Sequence, residues 1–256
     1  MQTDFITSTD RQIQLLELIS RQQRVSVADI VTQFEVSEAT ARRDLEALAN
    51  QGKVRRVHGG ALALQDAAPE LPLLERGSRE QSEKHRIGQA AARLVHPGET
   101  IFLGSGTTVL EVARALRETR GLTIITNSLP VLNSFVGCDC TVICLGGMLR
   151  PTELSFIGHI TEQALAEIRA DKVFIGARAI SLEHGLMSEY LPETLTDRAI
   201  MRAGGEVIIV ADHTKFRRSA TVLLAPLEQV QIIVTDTIQT DFMQSLQQHG
   251  IQIIEA

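Results

Sequence analysis

Apolar residues recur at helical spacing through the first fifty residues and gather into short continuous runs beyond residue 100, and this change of period divides the chain. From Asp10 onward, Ile13, Leu16 and Ile19 mark one helix. Ser26-Val-Ala-Asp29 has the form of a capping box, with Asp in place of Glu or Gln, and opens a second helix carrying Val27, Ile30, Val31 and Phe34. Ser37 is a good N-cap for a third helix, which Gly52 can end in a left-handed conformation. At about 100° per residue, the third helix buries Ala41, Leu45, Leu48 and Ala49. It turns Ala39, Thr40, Arg43 and Glu46 outward and leaves Arg42 at the border. Two β-prone runs, 53–57 and 61–64, then flank His58-Gly59-Gly60, a hairpin signal because consecutive glycines tolerate positive φ.

Two helices joined by a short turn, the second basic near its start, followed by a β-hairpin, is the arrangement of a winged helix-turn-helix. Residues 65–82 hold two prolines, charges and no sustained period, and read as a linker. A helix near 83–95 precedes apolar runs at 100–103, 122–126, 141–145, 172–176, 206–211, 231–235 and 251–254, most of them separated by amphipathic stretches. That alternation predicts an α/β domain with a mainly parallel sheet covered on both faces. The chain therefore reads as a DNA-binding domain at 1–64, a linker at 65–82 and an α/β domain at 83–256.

Composition and charge narrow this picture. With 256 residues and 44% apolar side chains the chain is not disordered, and its longest apolar runs reach only about five residues, so no membrane span is expected. Met1–Asp10 carry two aspartates and no basic or apolar leader, and three cysteines within seven residues (Cys138, Cys140, Cys144) make no disulfide framework. A cytoplasmic setting is expected, with the cysteines packing a strand. Residues 1–60 balance eight Lys/Arg against eight Asp/Glu, whereas the rest hold 17 against 23, so the whole net charge of −6 lies downstream. Within 37–60 five cations (Arg42, Arg43, Lys53, Arg55, Arg56) outweigh three acids, a small basic surface compatible with a nucleic-acid partner.

In an open parallel sheet, ligands bind outside the carboxyl ends of the strands. There the sequence places Gly104-Ser105-Gly106-Thr107-Thr108, Asn127-Ser128, Gly146-Gly147 with Arg150, and Asp212 with Lys215. A glycine-rich turn entering a helix offers free N–H groups, a positive dipole and two hydroxyls to an anion such as phosphate. Lys215 and Arg150 can supply the point charge that the turn lacks. Neither a Walker loop nor a GxGxxG fingerprint follows a strand, no GxSxG elbow occurs, and the histidines show no metal-binding pairing, so no cofactor or metal is implied. Glu193 and Asp197 form an i, i+4 acidic pair beside Arg198, read as helix surface or a ligand-ordering group.

These residues resemble the DeoR family of bacterial transcriptional regulators from about Gln12 to the C-terminus. The N-terminal likeness rests on Thr40, Arg42, Arg43, Asp44 and Leu45 followed by the Gly-Gly wing. The C-terminal likeness rests on GSGTT, Thr126-Asn127-Ser128, Gly146-Gly147-x-x-Arg150, Ser155-x-x-Gly158, FIGA at 174–177, Glu193 and ADHTKF at 211–216. The resemblance implies a sensor related in fold to ribose-5-phosphate isomerase and CoA transferases, which binds a phosphorylated sugar or sugar acid. It also implies a repressor of double-stranded operator DNA that assembles as a homo-oligomer. The chain departs from the family at Gly104, where Asp is common and can hold a sugar hydroxyl, and at Arg178, able to read a second negative charge or to pair with an acid. Ser37, Thr40, Arg42, Arg43, Lys53, Arg55, Arg56 and His58 are then the expected DNA contacts. The expected effector contacts are Gly104–Thr108, Asn127, Ser128, Gly146, Gly147, Arg150, Arg178, Glu193, Asp212 and Lys215. The alternatives are an isomerase-like enzyme on sugar phosphates, which needs a positioned acid or base, and a metabolite-binding module without DNA activity.

Overall fold

The computed structural model describes residues 11–256 apart from 13, 17, 20–23, 35, 51–53, 58, 64–70 and 219, and it leaves out the side chains of Arg24, Asn50, Arg55, Leu62 and Ala63. The chain forms two compact units, Met1–Glu70 and Leu71–Ala256.

In the first unit the described residues between 11 and 19 are helical. Helix α1 (Val27–Phe34) starts where the capping box predicts: Ser26 N donates to Asp29 Oδ2 (2.9 Å) and Asp29 N to Ser26 Oγ (3.1 Å). Helix α2 (Glu38–Asn50) buries Ala41, Leu45 and Leu48 against Leu15, Ile19 and Ile30. Its Asp44 is also buried, where it accepts from Arg11 Nε (2.6 Å) and Gln12 Nε2 (3.2 Å) and so ties α2 to the first helical segment. Strands β2 (Val54–Val57) and β3 (Gly60–Ala63) form the expected hairpin. A third strand, β1 (Arg24–Ser26), pairs with the far side of β3 and has no counterpart in the sequence reading. Gly60 permits that pairing, since a Cβ there would lie 2.9 Å from Ser26 Cα.

The second unit begins ahead of the expected boundary. The latter half of the stretch read as linker carries helix α3 (Leu73–Arg76), anchored by a bond from Leu73 N to Thr152 O (2.8 Å) and by the Arg76–Glu153 ion pair. Helix α4 (Gln81–Ala92) follows. The seven apolar runs all form strands: β4 (Thr100–Leu103), β5 (Thr123–Thr126), β6 (Thr141–Cys144), β9 (Ala170–Ile175), β12 (Gly204–Val210), β14 (Ile232–Thr235) and β15 (Gln252–Glu255). They make one sheet in the order β15-β14-β12-β9-β4-β5-β6, parallel at every pairing. Successive side chains alternate between two cores, so Phe102, Val173 and Ile209 line one face while Leu103, Phe174 and Ile208 line the other. Helices α4, α5 (Thr107–Leu116) and α6 (Leu129–Ser134) cover the second face. Helices α7 (His159–Ala166), α8 (Leu191–Ala203) and α9 (Thr240–Gln248) cover the first.

Two antiparallel pieces escape the sequence pattern: a hairpin of β7 (Met148–Arg150) with β8 (Ser155–Ile157), and a small sheet of β10 (Ala179–Ser181), β11 (Gly185–Ser188) and β13 (Val222–Ala225). Strands of three or four residues are too short to show an alternation. The cysteines differ from expectation too, because only Cys144 lies in a strand, exposed on the edge strand β6, while Cys138 and Cys140 are half-buried in the loop before it. No metal-binding group of three or more His, Cys, Asp or Glu occurs among the described residues, and no helix among them is long and apolar enough to cross a membrane.

Candidate functional site

The exposed face of α2 is the first site. Ser37 Oγ accepts from Thr40 N (3.2 Å) and lies 2.9 Å from Thr40 Oγ1, so both hydroxyls are engaged in starting the helix and Thr40 is half-buried. Arg42 is exposed and paired with Glu38 one turn back (2.5 Å). Arg43 is exposed with no acid partner among the described residues, and Arg56 is exposed on β2. Arg55 precedes Arg56 on the same strand. Lys53 and His58 lie outside the described residues.

The carboxyl edge of the parallel sheet is the second. Chain order runs outward in both directions from the β4/β9 pair, first through β5 and β6, later through β12, β14 and β15, which makes that pair the topological switch point, the place at which open α/β sheets bind their ligands. The Gly104–Thr108 turn leaves β4 there. Gly104 N donates to Phe174 O (3.0 Å), prolonging the ladder, and Gly106 takes φ +113° at the head of α5. No side chain caps this helix, so the N–H groups of its first turn face whatever sits before it, with the buried Thr107 and Thr108 beside them. Asn127 and Ser128 follow β5, both buried. Gly146 and Gly147 follow β6, where Gly146 O accepts from Thr161 Oγ1 (2.8 Å) and a Cβ on Gly147 would lie 2.9 Å from Ile157 O, so Gly147 permits close packing of the β7–β8 hairpin, whereas a Cβ on Gly146 would meet nothing within 4 Å.

Each cation that the sequence places on this edge faces an acid. Arg150 pairs with Glu193 and lies 4.4 Å over the Tyr190 ring; Ser155 Oγ also donates to Glu193 (3.3 Å). Arg178 pairs with Glu189 (2.9 Å), and Lys215 Nζ stands 3.8 Å from Asp212, whose Oδ1 caps the following turn by accepting from Thr214 N (3.1 Å). Burial, reinforced by the neighbouring Arg218, Arg178 and Arg76 and opposed by Asp212, pushes the Lys215 pKa down to about 8. Burial works against the Asp212 carboxylate, yet Lys215, the Thr214 bonds and Lys84 together hold it below its ordinary range.

Three features of this edge are not apparent from residue spacing alone. Lys84 is buried, donates from Nζ to Arg76 O (2.9 Å) and Arg79 O (2.5 Å), and has its pKa lowered by burial. It falls on the same stripe as Ile87, Gly88 and Ala91, so a lysine on an apolar helix face was the available signal. His213 is held to the buried Asp236 by both its backbone N–H and its Nδ1 (2.7 Å each). Arg218 adds a further cation near Arg178. The strand ends thus carry carboxylates after all, despite glycine at 104.

The DeoR-like helix-turn-helix domain matches residues 11–67, and the DeoR C terminal sensor domain matches residues 79–237. The chain belongs to the DeoR family. It is a DNA-binding transcriptional regulator, with α2 and the wing inside the first match and Gly104–Thr108, Glu193 and Lys215 inside the second. Among DeoR-family relatives, it is 36% identical over 247 residues to the glycerol-3-phosphate regulon repressor of Escherichia coli, covering 96% of this chain and 98% of that one. It is 34% identical over 235 residues, 91% of each chain, to the transcriptional repressor AccR of Agrobacterium fabrum. A solved ribose 5-phosphate isomerase A from Methanocaldococcus jannaschii aligns with a TM-score of 0.41 at 17% identity, over 54% of this chain and 55% of that one.

Proposed function

We propose that the protein is a cytoplasmic repressor of a carbohydrate-utilisation operon, released from its operator when the sensor unit binds a phosphorylated sugar or sugar acid. The observation that carries this reading is the uncapped, glycine-led N-terminus of α5 at the switch point of the sheet, in a unit whose strand-end cations Arg150, Arg178 and Lys215 are half-buried and in a chain whose other unit exposes Arg43 on a helix-turn-helix. Residues 1–64 grip the duplex, with Arg43 reading the major groove or its rim, Arg42, Lys53 and one of Arg55 and Arg56 on the backbone, and Ser37 and Thr40 shaping the helix start. Residues 83–256 form the sensor. The anion takes the first turn of α5, and Arg178, Lys215 and Arg150 exchange part of their pairing with Glu189, Asp212 and Glu193 for the ligand. An effector shifts the protein only by favouring one state differentially, and two DNA-binding domains set apart differently in two states of a homo-oligomer provide such a pair. The relatives' names, repressors of a glycerol-3-phosphate regulon and of an aga operon, support the carbohydrate reading. Acids and cations at the strand ends are engaged with one another, which suits binding without turnover.

The test is a gel shift of the full chain on DNA upstream of its own gene, with phosphorylated trioses, pentoses and hexoses added in turn. Retardation reversed by at least one of them, with the compound recovered unchanged, is the expected result. Failure to retard that DNA, or conversion of the compound, contradicts the reading.

A further inference from the structure

Two side-chain atoms at the end of β5 are buried and have no hydrogen-bond partner among the described residues: Asn127 Oδ1 and Ser128 Oγ. Both residues are 1% exposed. Neighbouring polar groups of the same two residues are in use: Asn127 Nδ2 donates to Phe156 O (2.9 Å), Asn127 O accepts from Phe156 N (2.7 Å), and Ser128 N donates to Thr126 Oγ1 (3.0 Å). Ser128 heads α6 without capping it. A buried acceptor and a buried hydroxyl left unmade work against folding, and chains that keep them gain where a ligand completes the bonds.

Their position says which ligand group that is. Leu103 stands level with Thr126 in the parallel register, so Asn127 and Ser128 lie one strand across from Gly104 and Ser105, next to the uncapped turn of α5. The Ser128–Ser155 bridge to the β7–β8 hairpin borders them on the other side. We infer that Asn127 Oδ1 and Ser128 Oγ hold an aliphatic hydroxyl of the same molecule whose anionic end occupies the α5 N-terminus. One hydroxyl satisfies both atoms, donating to the amide oxygen and accepting from the serine. A second anion is disfavoured there, because an amide oxygen only accepts. The site therefore selects hydroxylated phosphate monoesters over alkyl phosphates. This rests on the anion site proposed above and adds the group beside the anion.

Calorimetric titration of the full chain with glycerol 3-phosphate, ribose 5-phosphate, propyl phosphate and inorganic phosphate tests it, on the wild type and on Ser128→Ala. The tighter of the two hydroxylated esters should bind about tenfold or more better than propyl phosphate, and Ser128→Ala should reduce that preference to about threefold or less. The ligand-free Tm of Ser128→Ala should hold or rise, since the hydroxyl removed had no partner. If wild type binds propyl phosphate as tightly as the hydroxylated esters, or if Ser128→Ala keeps the full preference, the inference is overturned while the anion site stands. Should none of the four compounds bind, the anion site and the inference fall together. A Ser128→Ala variant that does not fold contradicts the premise that Oγ is unpartnered, and the wild-type comparison decides without it.

Discussion

The two units present positive charge in opposite ways. On α2, Arg43 stands in solvent and Arg42 shares it with Glu38, their side chains 54% and 64% exposed. At the sheet edge, Arg150, Arg178 and Lys215 are only 10–15% exposed and each is already paired with a carboxylate. A duplex offers its phosphates along a surface, so exposed cations meet it with little desolvation, and an exposed pair such as Arg42–Glu38 is worth too little to resist. A small anion has to be enclosed, which requires cations buried beforehand and kept there by acids that compensate them. On the function proposed above, exposure marks the first kind of site and partial burial with pairing the second.

The strongest challenge to this contrast is Asp44, the one buried acid among the described residues of the first unit. Asp44→Ala removes the acceptor for Arg11 and Gln12 and should cost the first unit about 3 kcal/mol in urea denaturation. A cost within about 0.5 kcal/mol of zero, the range of an ordinary surface substitution, would show that α2 is not held this way. Next in size, Arg43→Ala should weaken operator binding by about 1–3 kcal/mol in a gel-shift titration, the range for a base-reading contact. Arg42→Ala should cost less than about 1 kcal/mol, and equal losses would erase the distinction drawn between the two arginines.

The sensor edge is sharpened by pH. Lys215 titrates near 8 in the folded protein and near its ordinary 10.5 when unfolded, so between those values the unfolded chain binds more protons. Stability contributed through this group therefore rises as pH climbs from about 8 to 10.5, and the rise is absent from Lys215→Met. An anion prefers the protonated amine, so ligand affinity should fall by up to about tenfold per pH unit above 8, about 1.4 kcal/mol, in calorimetry. A flat profile that matches Lys215→Met takes the amine out of the site. At the sensor edge the smallest effect expected is from Thr107→Val, about 1 kcal/mol of effector affinity through one hydroxyl. Equal affinity in that variant removes the Thr107 side chain from the anion cradle.

The seven parallel strands and the helix-turn-helix were legible because each rests on a period repeated over several residues or on a local cap, as at Ser26–Asp29. That Gly104, Asn127 and Asp212 share one edge follows from the same logic, since strand ends in a parallel sheet lie together whatever their separation in sequence. What stayed hidden depends on long-range pairing. Nothing near Arg150 announces Glu193, and nothing near His213 announces Asp236. The β7–β8 hairpin and strand β1 are fixed by partners rather than by their own three residues. Lys84 is intermediate, visible as a charge on an apolar stripe but not as a donor to the turn at Arg76–Arg79. Gly147 also permits close packing against Thr161 and Ile157, a constraint that the glycine pair does not show in sequence.

The decisive measurement is fluorescence anisotropy of labelled upstream DNA titrated with the full-length protein, with and without the phosphorylated sugar that releases it, for wild type and Lys215→Met. The account predicts that wild type loses at least about tenfold in DNA affinity when the ligand is added, as coupling energies of 1–3 kcal/mol allow. Lys215→Met should bind DNA equally with and without the ligand. If the variant is released as readily as wild type, the buried sheet edge is not where the signal enters.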